Sequence, residues 1–284
     1  MFDYVYKNIV GCDREKMFYD KSKVAVSMNQ SERRRYLIGS LLSEQKGLSG
    51  MEIPSDAVEQ RKLLRSLMNI RLAGAVDEEF QRIQDEYLQQ INMDKGIVGI
   101  DDMAEAQPDI YIWRGDITRL RVGAIVNAAN SGLTGCYQPC HSCIDNCIHT
   151  YAGVQLRNYC NAMMVKQGCE EPAGQAKLTP AFNLPCDYVL HTVGPIVRGR
   201  LTDEHERLLR SCYSSCMNVA DENDVKSIAF CCISTGVFMF PNERAAQLAV
   251  QTVKEYKEKT KSGMKVVFNV FKEEDEQIYR RLLS

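Results

Sequence analysis

Ala124-Ile125-Val126-Asn127-Ala128-Ala129-Asn130 joins a short apolar, β-branched run to a polar turn, and this junction sets the reading of the fold. Runs of the same kind recur at Ile110 to Trp113, Tyr188 to Thr192, Ser227 to Ile233 and Lys265 to Val270. Helical spacing of apolar residues fills the intervals at about 143 to 165, 203 to 221, 242 to 258 and 273 to 283. Strands alternating with helices of this length predict a mostly parallel or mixed sheet covered on both faces, an α/β fold. In such folds ligands settle at the carboxyl ends of strands, where loops lead into helix N-termini.

The residues before this region read differently. From 1 to about 95 apolar side chains recur only at helical spacing: Leu37, Ile38, Leu41 and Leu42 form one stripe, and Leu63, Leu64, Leu67 and Ile70 a second. The second helix is expected to start near Asp56, with Glu59 three residues on as in a capping box. A third runs from Asp77 through Phe80, Ile83, Tyr87 and Ile91. Between Gly96 and Asp109 two glycines, a proline and four acidic residues break the pattern. The expected organisation is a helical extension over 1–100 followed by an α/β domain over 101–284.

Bulk composition bounds the function. With 45% apolar and 25% charged residues the 284-residue chain is expected to fold, and a net charge of −2 offers no global basic field for nucleic acid. No apolar run approaches the roughly 18 residues of a membrane span, and Met1-Phe2-Asp3-Tyr4 lacks the pattern of a signal peptide. A soluble, cytoplasmic protein without membrane partners is expected. In such a chain the 12 cysteines read as buried thiols or metal ligands rather than disulfides.

Three loops follow predicted strands: Gly115-Asp116-Ile117-Thr118, Asn127-Ala128-Ala129-Asn130 and Ser234-Thr235-Gly236-Val237-Phe238. The last has small residues whose amides can approach a phosphate, with a helix after Pro241. Taken singly, each also reads as an ordinary connection: a Gly turn, an Asp helix cap, an Asn turn bonded to nearby backbone. Between the second and third loops, four cysteines and His141 fall within residues 136–147. Thiolates and imidazole suit zinc, and Cys140 and Cys143 make a C-x-x-C half-site with no second half elsewhere. That disfavours a closed four-thiolate site; a three-ligand site with an open position is what catalysis by zinc requires, and redox-inert buried thiols are the plainer alternative. Cys212 and Cys216, and Cys231-Cys232, read as core, as do His149 and His191 in their apolar surroundings.

The ordered set Trp113-Arg114-Gly115-Asp116-Ile117-Thr118, Val126 to Asn130, Asp145 to His149, His191-Thr192-Val193-Gly194-Pro195 and Ser234 to Pro241 resembles the macrodomain family over about residues 110 to 284. Where most members carry a glycine run, this chain has Gly135-Cys136-Tyr137-Gln138-Pro139-Cys140-His141-Ser142-Cys143, which resembles the zinc-containing subgroup of protein-ADP-ribose hydrolases. Glu59-Gln60-Arg61 and Leu64-Arg65-Ser66-Leu67-Met68-Asn69 resemble the helical extension of that subgroup. The resemblance implies a mixed sheet sandwiched by helices and one zinc ion on Cys136, His141 and Cys143, with Cys140 as the rival ligand.

It also implies an ADP-ribose site. Asp116 and the amide of Ile117 would read adenine, Asn127 and Asn130 would lie toward the distal ribose, and Ser234, Thr235, Gly236, Val237 and Phe238 would wrap the diphosphate. Phe238 or Phe240 would pack near the distal ribose. Asp145, with Asn130 beside the reacting ribose, would orient or deprotonate a water, kept ionised by its helix N-terminus, while zinc activates that water or polarises the ribose. The expected activity is zinc-dependent removal of mono-ADP-ribose from proteins. The alternatives are a non-catalytic ADP-ribose reader and an O-acetyl-ADP-ribose deacetylase. A lipoate-carrier protein is the partner the resemblance suggests, and the helical extension either docks the target or braces the fold.

Overall fold

The computed structural model describes residues 28–284 except 46 and 49. The part of the helical reading that falls on residues 1–27 lies outside the described residues. Helix α1 (Gln30–Glu44) is opened by a capping box between Asn29 and Glu32. Asp56 caps α2 (Ala57–Ile70), but Glu59 turns outward to pair with Lys62, so the box expected there is only half formed. Asp77 caps α3 (Glu78–Asp94). The apolar stripes of all three meet in one cluster that includes Leu37, Ile38, Leu41, Leu64, Leu67, Phe80 and Ile83.

The remainder is an α/β sandwich of helices on a mixed sheet. A two-residue strand β1 (Val98–Gly99) pairs in parallel with β4 (Leu120–Arg121), tying the end of the helical region to the α/β part. The main sheet has seven strands: β2 (Glu105–Gln107), β3 (Ile110–Arg114), β5 (Ala124–Ala128), β6 (Ala176–Pro180), β7 (Tyr188–Thr192), β8 (Ser227–Phe230) and β9 (Lys265–Val270). They lie in the order β2-β3-β9-β8-β5-β7-β6. The pairs from β3 through β7 are parallel, and only the edge strands β2 and β6 run antiparallel, so the sheet is mixed as expected. The central β5 is buried at Ala124, Ile125, Val126 and Asn127, which is why it reads as a continuous apolar run rather than an alternating one. All five expected strands form, though β8 ends at Phe230 rather than at Ile233. The two antiparallel edges, polar Glu105–Gln107 and Pro-containing Ala176–Pro180, carry too little β pattern to be read in advance.

The helix expected over 143 to 165 is two helices, α4 (Ile144–Ala152) and α5 (Val154–Gln167). Gly153 between them has φ 97° and ψ 174°. That conformation is essentially closed to residues with a Cβ. The break lets α4 pack between β5 and α2 while α5 packs on β6. Helices α6 (Asp203–Glu222), α7 (Asn242–Thr260) and α8 (Glu273–Leu283) complete the sandwich. Among the described residues no helix is long and apolar enough to cross a membrane.

Replacing Gly153 by Ala should lower stability by about 1–3 kcal/mol, read as a lower urea midpoint. An unchanged midpoint would remove Gly153 as the cause of the break.

Candidate active site

Asn127 is the last residue but one of β5 and Asp145 the second of α4, so the sheet delivers an amide and the helix a carboxylate to the same place. Asn127 Nδ2 donates to Asp145 Oδ1 at 2.8 Å, and Asn130 Nδ2 donates to Asp145 Oδ2 at 3.1 Å. Asp145 is 5% exposed. Burial pushes its pKa up to about 6, against the pull of the two asparagine donors. The N-terminal turn of α4 therefore does not hold this carboxyl in the ordinary acid range. Asn130 also fixes the turn, donating to the Gly135 carbonyl and accepting from the Gly132 amide. Asn127 is fully buried, with Nδ2 also 3.2 Å from His191 Nδ1. Its side chain thus stands behind Asp145 instead of lining an open cleft.

The loop between Asn130 and α4 gathers sulfur and nitrogen donors. Cys136 Sγ lies 3.6 Å from His141 Nδ1, and with Cys143 Sγ these donor atoms all fall within 4.8 Å of one another. Tetrahedral zinc with bonds of about 2.3 Å to sulfur and about 2.0–2.1 Å to nitrogen spaces such ligands about 3.5–3.8 Å apart, so the three residues fit the metal. Burial pushes the Cys143 thiol up to about 12. The same sulfur caps α4 by accepting from the Asn146 amide at 3.4 Å. Cys140 turns the other way: it is exposed, has φ 53°, and its sulfur lies 3.2 Å from Ser66 Oγ. The rival ligand is therefore not in the cluster.

A second group, His149, Cys160 and His191, is wholly buried beneath the first. His191 Nδ1 faces the Asn127 donor and Nε2 lies 3.0 Å from Thr179 Oγ1, which fits a neutral ring protonated on Nε2. Burial lowers the pKa of His191 to about 3 and that of His149 well below its usual value. His191 is thus a satisfied core histidine. His149 is buried too, but neither ring nitrogen has a hydrogen-bond partner among the described residues, and Nε2 stands 3.6 Å from Asp145 Oδ1.

At the far side of the same strand ends, Asp116 caps the short turn Ile117–Arg119 through the Thr118 amide. Its Oδ2 accepts from Lys95 Nζ at 3.0 Å, and the ammonium also lies 3.0 Å from the centre of the Tyr151 ring. Burial would raise the Asp116 carboxyl, but the Lys95 charge and the Thr118 bonds together hold it below its ordinary value. Burial lowers Lys95, which Asp116 partly offsets. Ile117 is buried. Phe271, which follows β9, is 77% exposed beside this turn, because Gly115 N–H bonds Val270 O. Local sequence pattern marks neither Lys95 nor Phe271 as a site residue; for Phe271, an aromatic directly after a predicted strand is the available signal.

Between these two ends lies the Ser234 to Phe238 turn. Ser234 has φ 65° and a buried side chain, and Thr235 Oγ1 bonds back to Cys232 O, so both contribute backbone. The turn closes through Met239 N–H to Gly236 O and Phe240 N–H to Ser234 O. Among the described residues no protein acceptor takes the N–H groups of Gly236, Val237 or Phe238. A Cβ built on Gly236 meets nothing within 4 Å, so the glycine faces open space. Of the two aromatic candidates, Phe240 is 1% exposed in the core, which leaves half-buried Phe238. An open cavity lined by Asp101, Arg121, Lys226 and Lys265 sits at the opposite, amino ends of the strands and shares none of these residues.

Comparison with known proteins agrees with this geometry. The Macro domain family profile matches residues 126–249. A protein-ADP-ribose hydrolase of Treponema medium is 59% identical over 261 residues, covering 90% of this chain and 100% of its own length. One of Staphylococcus aureus (strain Mu50) is 43% identical over 254 residues, covering 89% and 95% respectively. Among solved structures, the Trypanosoma brucei macrodomain in complex with ADP-ribose superposes with a TM-score of 0.61 at 27% identity, over 78% of this chain and 95% of that one. The Oceanobacillus iheyensis macrodomain with ADP gives 0.57 at 34% identity, over 64% and 93%.

The Asp116–Lys95 pair generates a pH test. Because the folded-state pKa of Asp116 is depressed, its stabilisation is present above the unfolded value of about 3.9 and disappears as pH falls through the folded value. Lys95→Met should therefore cost more stability at neutral pH than under acid conditions, since the ammonium is absent from the Tyr151 ring at either pH and only the ion pair differs. Equal losses in urea melts at the two pH values would contradict this.

Proposed function

The chain belongs to the macrodomain family, and from that premise we propose that it is a hydrolase that removes mono-ADP-ribose from modified proteins with the help of zinc. The observation that carries the reading is the placement of a buried, doubly hydrogen-bonded Asp145 next to a Cys136, His141 and Cys143 donor set, at the strand ends where the free amides of Gly236 to Phe238 also converge. A binding module needs the amides but has no use for the carboxylate.

In this reading the adenine amine donates to Asp116, whose carboxylate stays ionised beside Lys95, and the exposed Phe271 ring offers a face on which the base stacks. The amides of Gly236, Val237 and Phe238 hold the diphosphate, where glycine lets the backbone come close. The distal ribose then points past Phe238 toward Asn130. Asp145 accepts one asparagine bond on each oxygen and keeps further lone pairs, so it orients a water toward the anomeric carbon and takes its proton. Asn127 and Asn130 are the groups that aim it. When bound by Cys136, His141 and Cys143, zinc supplies Lewis acidity at this end of the cleft. The partner is an ADP-ribosylated protein; a lipoate carrier as its identity rests on the sequence resemblance. We also propose a division into residues 1–100 and 101–284, supported by two apolar clusters of which the helical one takes only Val154 from the second part.

The test is turnover of a mono-ADP-ribosylated protein by Asp145→Asn, which preserves shape. Loss of about 10²–10⁴-fold in rate with ADP-ribose affinity kept is expected; undiminished turnover removes Asp145 from the mechanism. Gly236→Val should melt like wild type yet bind ADP-ribose much more weakly in calorimetry. Wild-type affinity in that variant would move the diphosphate elsewhere.

A further inference from the structure

One motif of the helical region, Leu64 to Asn69, has no part in the chemistry above, yet its polar side chains all run to the metal-binding loop. Arg65 Nη2 donates to the carbonyl of His141 at 2.8 Å and to Asn146 Oδ1 at 2.9 Å. Asn69, 1% exposed, accepts the amide of Cys140 on Oδ1 at 2.9 Å and donates from Nδ2 to Thr150 at 3.0 Å. These bonds bridge 71 to 81 residues of sequence.

They bear on two backbone features that set the ligand geometry. Cys140 is in the left-handed region at φ 53°, a conformation that costs a non-glycine residue energy and persists only when its surroundings impose it. Asn69 is bonded to the amide of that very residue. Its neighbour His141 carries the ring that must meet Cys136, and Arg65 holds the carbonyl of that residue. Asn146 in turn donates to the carbonyls of Cys136 and Gln138, so Arg65 reaches both ends of the loop through it.

We propose that Arg65 and Asn69 are positioning residues for the metal centre, so that the helical extension sets the zinc affinity of Cys136, His141 and Cys143 rather than only bracing the fold. The inference rests on the zinc reading given above. Outer groups that hold ligands in place typically change metal affinity by about 10–100-fold when removed. A merely structural helix would instead lower overall stability and loosen the whole nucleotide site alike.

The experiment uses the full chain and measures zinc affinity by competition with a chromogenic chelator, alongside ADP-ribose affinity by calorimetry. Arg65→Ala and Asn69→Ala should each weaken zinc by about 10-fold or more while ADP-ribose affinity stays within about twofold, and Arg65→Lys should recover part of the loss. If buried Asn69→Ala does not fold, the half-buried Arg65 pair carries the test. Zinc affinity equal to wild type in Arg65→Ala overturns the inference alone, as does parallel loss of zinc and ADP-ribose binding. A wild-type chain that takes up no zinc overturns the zinc reading and this inference with it.

Discussion

Asp145 is taken out of water by α4 and the turn after β5, and two asparagine amides replace the solvent it loses. An ionised carboxylate buried without partners costs several kcal/mol, so the folded chain must bring Asn127 and Asn130 to it or leave it protonated. That requirement ties the central strand of the sheet, the turn after it and the first turn of α4 to one another. Cys143 precedes Asp145 by two residues as the cap of the same helix, and Asn130 bonds the carbonyl next to Cys136. The carboxylate and the thiol cluster are therefore two consequences of one local arrangement, in which neither can shift without the other.

The parts of the fold that are legible in the sequence are those specified by local pattern. β7, β9 and α8 match their expected bounds because apolar β-branched runs and one-sided helices are short-range signals. The break at Gly153 is not legible because a lone glycine inside a helical pattern reads as tolerated, whereas the backbone there needs φ 97°. Edge strands such as Glu105–Gln107 are polar by necessity and so look like loop.

The candidate site divides along the same line. The cluster of thiols with His141 is visible in one stretch of chain and the resemblance selects Cys136, His141 and Cys143 from it; the structure brings those three together while turning Cys140 outward. Asn127 is expected at the substrate, but in a strand buried on both faces its side chain meets Asp145 and His191 instead. Lys95, Arg65 and Asn69 are illegible as site residues because their partners lie from 21 to 81 positions away. Only the packing of the helical extension onto α4 and its loop reveals them. Arg157 adds to that seam by donating to the carbonyls at the end of α2, so the extension and the α/β part share buried hydrogen bonds as well as apolar packing.

The most direct measurement is release of ADP-ribose from a mono-ADP-ribosylated protein by the purified full chain, with zinc content determined on the same sample before and after chelation and again after zinc is added back. The expected result is that stoichiometric zinc and hydrolysis are lost together and return together, with ADP-ribose binding retained throughout. Hydrolysis that continues at the full rate once zinc has been removed would contradict the assignment of Cys136, His141 and Cys143 to the reaction.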